Sequence, residues 1–329
     1  MPVYSNHLKG SLYCAMGVLS FGPDSLLLRK VAMVPNWTVM FYRYLLLGCA
    51  MLTYVIVTER SQTGVKFKAL GGFGFLAGVI WGAQNVLITA GFQLTSAANV
   101  LVILAANPLF AAVLSWLVLR EKMKRRTALA AIVCLAVIVA IVWNELGSSG
   151  GEAGQRLIGV LSAVGASVTT AIYFVVLRLS SIRNAGVQVD MLPSIALSGF
   201  VALLISLAVD SSLAEVSSTH FIFIALQGAV CLPLGSIFLT LGPSLLSAPE
   251  VSLFTLLETV VGPLLVWLGG YEQPSLVALC GGCALLVALT AHSVVALQEE
   301  KRNHLEAVAD AQILNSQDHS IPQVSWYAL

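Results

Sequence analysis

Apolar residues run in ten long stretches along this chain, at roughly 10–30, 37–57, 70–92, 97–119, 127–144, 157–178, 190–209, 220–242, 248–270 and 275–297. Charged residues or Gly, Pro and Ser bound each one, and none offers enough polar positions for a solvated helix face. Each is close to the ~20 residues that cross a hydrocarbon core. A segment alone in lipid must satisfy its own backbone hydrogen bonds, which a helix does. The pattern therefore predicts an all-α integral membrane protein with ten transmembrane helices. The break SSGGEAGQR, after Gly147, is the longest and divides the chain nearly in half. The expected organisation is a cytoplasmic N-terminus (1–9), a first five-helix repeat (10–144), a linker (145–156), a second five-helix repeat (157–297) and a solvated tail (298–329), partly helical at most.

Composition agrees. Of 329 residues, 58% are hydrophobic and 10% charged, against about 25% charged in soluble domains. The mean hydropathy is +0.89. A net charge of +1 gives no bulk attraction to nucleic acid. The distribution of charge says more. Thirteen of the 17 Lys and Arg fall on the N-terminal side, among them Lys9, Arg60, Lys66, Lys68, Arg120 and Lys122. Only Arg29, Lys30 and Arg156 fall on the other side, and Arg43 lies within the second stretch. This bias places both termini in the cytoplasm and requires an even number of spans. The first stretch is too long for a signal-peptide core of about 7–15 residues, so it is expected to be retained. All six cysteines lie in apolar stretches. Cys280-Gly-Gly-Cys283 has no second pair or histidines beside it, so its glycines point to close helix packing rather than a metal or redox centre. The sequon Asn36-Trp37-Thr38 abuts the membrane and is expected to stay unused.

An internal repeat sharpens the picture. Adding 151 to positions 90–121 aligns them without gaps on 241–272. Gly91 meets Gly242, Ser96 meets Ser247, Trp116 meets Trp267 and Glu121 meets Glu272. Five spans per repeat is an odd number, so the halves insert in opposite orientations. Secondary transporters often have this layout, with the site near the midplane between repeats.

The stretch AGFQLTSAANVLVILAANPLFAAVLSWLVLREK and its partner SAPEVSLFTLLETVVGPLLVWLGGYEQPS resemble the hallmark of EamA-type members of the drug/metabolite transporter superfamily. FYRYLLLG, with its intramembrane Arg43, and GVLSAVGASVTTAIYFVVLR support the resemblance, which spans roughly residues 8–297. It implies ten helices, cytoplasmic termini and alternating access without ATP. It leaves the substrate open among amino acids, metabolites, nucleotide sugars and toxic compounds. The chain departs from the family pattern at Thr259, where proline is common, and at Tyr271, where glycine is.

Ionisable groups at bilayer depth face a cavity or a partner. Glu258 lies about 15 Å into its span at 1.5 Å per residue, and its repeat mate is Asn107, beside Pro108. It is a candidate for contacting an amine or exchanging a proton; a structural, hydrogen-bonded carboxyl is the equal alternative. Asp24 and Arg43 fall at similar depth on adjacent spans and are expected to pair, either as a fixed ion pair or as a gate. Trp81, Gln84 and Asn85 offer an aromatic and two amides, a surface suited to a polar metabolite or to bonding between helices. Tyr173 and Gln227 are weaker substrate-binding candidates. Pro23, Pro108, Pro233 and Pro263 permit kinks. Glu121 and Glu272 close their spans at opposite faces, as boundary or gate-rim residues.

The function this supports is a secondary carrier, an exporter or exchanger, of a small organic solute such as an amino acid. The alternative is a receptor or assembly factor that keeps the fold without transport. His292, near one end of the last span, and His220, at the very edge of the eighth, are isolated histidines, so no catalytic set and no metal are expected. No Walker loop suggests a primary pump, and no cofactor is expected. The partners are a small-molecule solute and the lipid bilayer, with a homodimer and the coupling ion left open. A plasma or bacterial inner membrane is the default location.

Overall fold

The computed structural model describes residues 2–60, 63–119, 125–146, 153–183, 192–241, 246 and 248–318, and among these it is helical with no strand. Helices α1 (Pro2–Lys30) and α2 (Asn36–Glu59) are separated by a turn over 31–34 and by Pro35, whose extended backbone (φ −54°, ψ 136°) sets the start of α2. A short α3 (Thr63–Ala69) leads into α4 (Gly71–Leu94). Thr95 is extended (φ −134°), and Ser96 then caps α5 (Ala97–Ala105) by accepting the Asn99 N–H at 3.2 Å. After Ala106 comes α6 (Asn107–Leu119), bent by 40° from α5. The first half closes with α7 (Arg125–Leu146).

The second half opens on α8 (Ala153–Arg183) and α9 (Leu192–Val209). Ser217 caps α10 (Ser218–Leu226), which passes through a π-turn, Gln227–Cys231, into α11 (Leu232–Leu241). The last helices are α12 (Ala248–Leu268) and α13 (Leu276–Asp318).

Among the described residues eight helices are long and apolar enough to cross a membrane, and the bent α5–α6 pair makes nine. Ten were expected. The remaining expected segment, 248–270, coincides with α12, whose described apolar part, Leu256–Leu268, is short for a span. The kinks expected from proline also vary. Pro23 and Pro263 sit inside continuous helices, and Pro233 follows the π-turn. In the chain tail, α13 continues to Asp318. Residues 298–318 contain no Gly or Pro, so no stop signal interrupts a helix already nucleated in the preceding span.

Helices of the front half pack on helices of the back half: α1 on α11 and α12, α2 on α9, α4 on α8 and α9. Small residues allow this closeness. A Cβ on Gly199 would stand 2.7 Å from the Gly48 nitrogen, and one on Gly228 only 2.3 Å from the Arg43 carbonyl oxygen. One apolar cluster joins Leu28, Leu101, Ile103, Ile138 and Leu285; another joins Met40, Tyr44, Leu47, Ile195 and Ala202. Between and beside them lie the buried polar groups described next. The opposite faces carry exposed Leu129, Ile132, Leu135 and Val139, an apolar surface matched to acyl chains. The sequon is built into the fold: Asn36 opens α2, and buried Thr38 accepts the Ala214 N–H at 3.1 Å.

Candidate functional site

At the centre of the bundle Asp24 (α1) and Arg43 (α2) form a bidentate ion pair, both contacts 2.8 Å. Arg43 is 2% exposed and Asp24 6%, so the pair is shut away from water and each charge depends on the other. The geometry is the planar fork that only a guanidinium offers a carboxylate. A third member arrives from the other half. Gln227, fully buried at the start of the π-turn, accepts from Arg43 Nη1 at 3.1 Å. A π-turn inserts one extra residue into a helix, and Gly228 beside it lets α2 approach closely enough for the contact. Arg43 Nε and Gln227 Nε2 lack partners among the described residues. The Arg43 guanidinium also lies 5.6 Å from the centre of the Tyr44 ring.

Glu258 lies on α12, half-buried, where it feels the negative charge of Asp24. Among the described residues it has no hydrogen-bond partner. Asn107 stands at the α5–α6 bend with its Oδ1 buried and unpartnered. It makes no hydrogen bond to Glu258 or to the ion pair among the described residues.

A second polar group lies on α4. The Trp81 and Tyr173 rings meet at 4.6 Å, tilted by 44°, tying α4 to α8. Gln84 and Asn85 follow within a turn, both buried. The Asn85 amide reaches Ser198 of α9 at 3.4 Å, and its carbonyl receives the Tyr44 hydroxyl, which also meets Thr89. Asn85 is thus engaged in joining helices, whereas the buried Gln84 side chain makes no hydrogen bond among the described residues.

A third cluster was not anticipated from the residues. Where α1 ends and α5 begins, Arg29 forms an ion pair with Glu272 and donates to the Thr95 carbonyl. Glu272 Oε2 accepts the Ala97 N–H at 2.9 Å. Thr95 Oγ1 accepts from Asn99, Asn99 donates to Glu145 at 2.9 Å, and Glu145 lies 3.4 Å from Arg156 Nε. Burial raises the Glu272 carboxyl above the usual carboxylate range, and Arg29 opposes the rise. Arg29 and Arg156 read as plain loop charges and Glu145 as linker, so only Glu272 carried a prior signal. Its repeat mate Glu121 lies outside the described residues. Among the described residues no group of three His, Cys, Asp or Glu is arranged to hold a metal ion.

Residues 8–143 match the model of the EamA-like transporter family. The chain is 27% identical over 175 residues to mouse (Mus musculus) solute carrier family 35 member G1, covering 51% of this chain and 47% of that one. Against the human (Homo sapiens) member G1 it is 25% identical over 264 residues, 76% of this chain and 69% of the relative. The match thus spans about half the length of the mouse relative. Mouse solute carrier family 35 member F3 is 30% identical over 102 residues, 31% of this chain and 23% of that one. A protein crystal structure shares the fold at a TM-score of 0.58 and 17% identity, covering 88% of this chain and 98% of that chain. The apolar helical bundle and these comparisons agree on a multi-pass membrane protein whose residues 8–143 resemble the EamA-like transporter family and whose relatives are solute carriers.

Proposed function

We propose that the chain is a secondary carrier of a small polar organic solute, an amino acid or a related metabolite, exporting or exchanging it by alternating access. In this reading α12 is the tenth span, the two five-helix halves (10–144 and 157–297) are inverted repeats, and both termini are cytoplasmic in a plasma or bacterial inner membrane. The end holding Arg29 and Glu272 is then the outer face. The 151-residue repeat and the charge bias support the inversion, and the solute-carrier relatives support carriage.

One observation carries the reading: polar side chains from both halves converge inside a lipid-facing bundle, several without partners. A fold that only needed stability would leave them out, since burying unpaired polar groups costs free energy. The solute is held by Trp81, Gln84, Tyr173, Asn107 and Glu258. Asn85 and Gln227 shape the wall from behind through Ser198 and Arg43. The Asp24–Arg43 pair keeps α1 and α2 in register. Glu258, an unpaired carboxylate near the middle of the bundle, binds an amine or exchanges a proton with it. In both cases the solute carries a group that answers a carboxylate.

Counterflow in proteoliposomes with a labelled metabolite panel, run with and without a pH gradient, tests this. Uptake above protein-free liposomes is expected for at least one amine-bearing solute, falling at least tenfold in Glu258→Gln. No uptake of any solute by correctly folded protein overturns carriage. Accessibility tags that found Glu121 and Glu272 on the same face overturn the inversion.

A further inference from the structure

The Thr95–Ala97 elbow joins the carbonyl end of α4 to the amide end of α5, so helix-dipole charges of opposite sign meet within three residues. Both ends leave backbone groups without helical partners. Arg29 supplies a cation to the carbonyl side, at Thr95, and Glu272 an anion to the amide side, at Ala97. The two side chains also pair with each other. Arg29 and the elbow belong to the front half and Glu272 to the back half. The contact therefore staples the halves together at one end of the bundle, and it continues through Asn99 and Glu145 to Arg156.

The Asp24–Arg43 and Arg29–Glu272 pairs differ in a way that assigns them different jobs. The Asp24–Arg43 pair is almost wholly shut from water, at 9% and 2% side-chain exposure. Separating it would strand two charges in lipid-like surroundings. The Arg29 and Glu272 side chains keep 15% and 18% exposure, and an open cavity of about 180 Å³ lined by Trp267, Tyr271 and Glu272 borders the Glu272 side of the pair. Water can therefore enter as they part and take over their hydrogen bonds. The cap at the end of α12 is suited to such movement. Gly270 is left-handed (φ +73°), with Tyr271 N–H donating to Val266 and Gly270 N–H to Trp267, a Schellman turn that ends the helix cleanly and leaves Glu272 on an irregular segment.

We propose that the Arg29–Glu272 pair, seated on the Thr95–Ala97 elbow, is the outer latch of the carrier: closed in this structure, and opened when the halves part to admit or release solute on that side. This rests on the carrier reading above, and the test separates the two. In a variant without its six native cysteines, a single cysteine replaces Val100, which is fully buried one turn below the latch. Its reaction rate with a water-soluble maleimide is measured in lipid nanodiscs, with no transport required. Glu272→Gln or Arg29→Gln is expected to raise that rate at least tenfold, and the reversed pair Arg29→Glu/Glu272→Arg to return it to within threefold of the parent. Unchanged labelling in both single variants, with circular dichroism and elution profile intact, overturns the latch. A second arm bridges Arg29→Cys/Glu272→Cys with a short bis-methanethiosulfonate. Protection of the Val100 cysteine that is lost on reduction is expected, and labelling indifferent to the bridge overturns the proposal. If counterflow fails for every solute while the latch still controls labelling, the carrier reading falls and the moving part stands.

Discussion

The α5–α6 pair and α12 align on each other at an offset of 151 residues, yet they differ in shape. The first copy breaks at Ala106 and bends by 40°; the second runs unbroken from Ala248 to Leu268. Under the 151-residue offset Pro108 corresponds to Thr259, and Pro263 to Ala112. Pro108 has no N–H for the Leu104 carbonyl, and its ring crowds the preceding turn. Ala106 instead donates to Ile103 and receives Leu109 and Phe110 at 2.9 and 3.1 Å. Thr259 carries an N–H, so nothing comparable halts α12 there. The displaced Pro263 is accommodated inside a continuous helix. The polar mates inherit the difference. Asn107 sits on an elbow with an unpaired oxygen, while Glu258 sits on a helix face near Asp24. One proline shifted in register converts a repeated motif into two unlike walls, one jointed and one rigid.

The largest effect that tests this asymmetry comes through Arg43. The guanidinium cancels the Asp24 charge, and with it the repulsion that Asp24 exerts on Glu258. Arg43→Ala is expected to cost about 3–5 kcal/mol of stability, the usual consequence of leaving a buried charge unpaired. Adding Glu258→Gln should return part of the loss, because one of two like charges that act on each other is removed. Adding Asn107→Ala should return none. Thermal unfolding of the purified variants in detergent reads this directly, and equal rescue by both second substitutions would erase the distinction between the two copies.

Next in size is exchange of the prolines. Thr259→Pro places a ring in the continuous copy and removes a helical hydrogen bond, for an expected cost of about 3 kcal/mol. Pro108→Ala restores a donor to the broken copy and should change stability by less than about 1 kcal/mol, since the elbow has already found other partners. Thermal midpoints measured side by side settle the order. A larger loss at Pro108 than at Thr259 would mean that the joint, rather than the rod, holds the bundle together.

Why some of this was legible in the residues, and some not, follows from what lipid makes expensive. A charge at bilayer depth demands a partner, so Asp24 and Arg43 at matching depth on adjacent spans announce themselves. Amides announce less. Gln227 reads as a candidate for touching solute, but the π-turn rotates it onto Arg43, and no periodicity in the sequence signals that extra residue. Rim residues announce least, because charges near a helix end are cheap and ordinary. Arg29, Glu145 and Arg156 therefore passed as loop charges, and their joint chain through Asn99 exists only once α1, α5, α7 and α8 are packed. The number of spans was only partly readable for a related reason. Apolar composition does not tell a straight 21-residue rod from two short helices meeting at an angle, and the bend at Ala106 depends on where one proline falls.

The smallest expected effect lies at the end of the rigid copy, where Glu272 is partly buried beside Arg29. Burial raises its carboxyl above the unfolded value of 4.5, while Arg29 and the Ala97 N–H pull it back. The folded state then holds the proton more tightly than the unfolded chain across the interval between the two values. Stability contributed by this group is present below the unfolded value and is lost as pH rises through the folded one. Glu272→Gln keeps an acceptor for Ala97 and has no proton to lose, so its unfolding midpoint should vary less with pH across that interval than the parent's. The difference should stay below about 1 kcal/mol, because the group is still reached by water and such pairs are weak. A steeper pH dependence in Glu272→Gln than in the parent would mean that Arg29 outweighs burial. The carboxylate would then be held charged, and the latch would be tighter than its exposure implies.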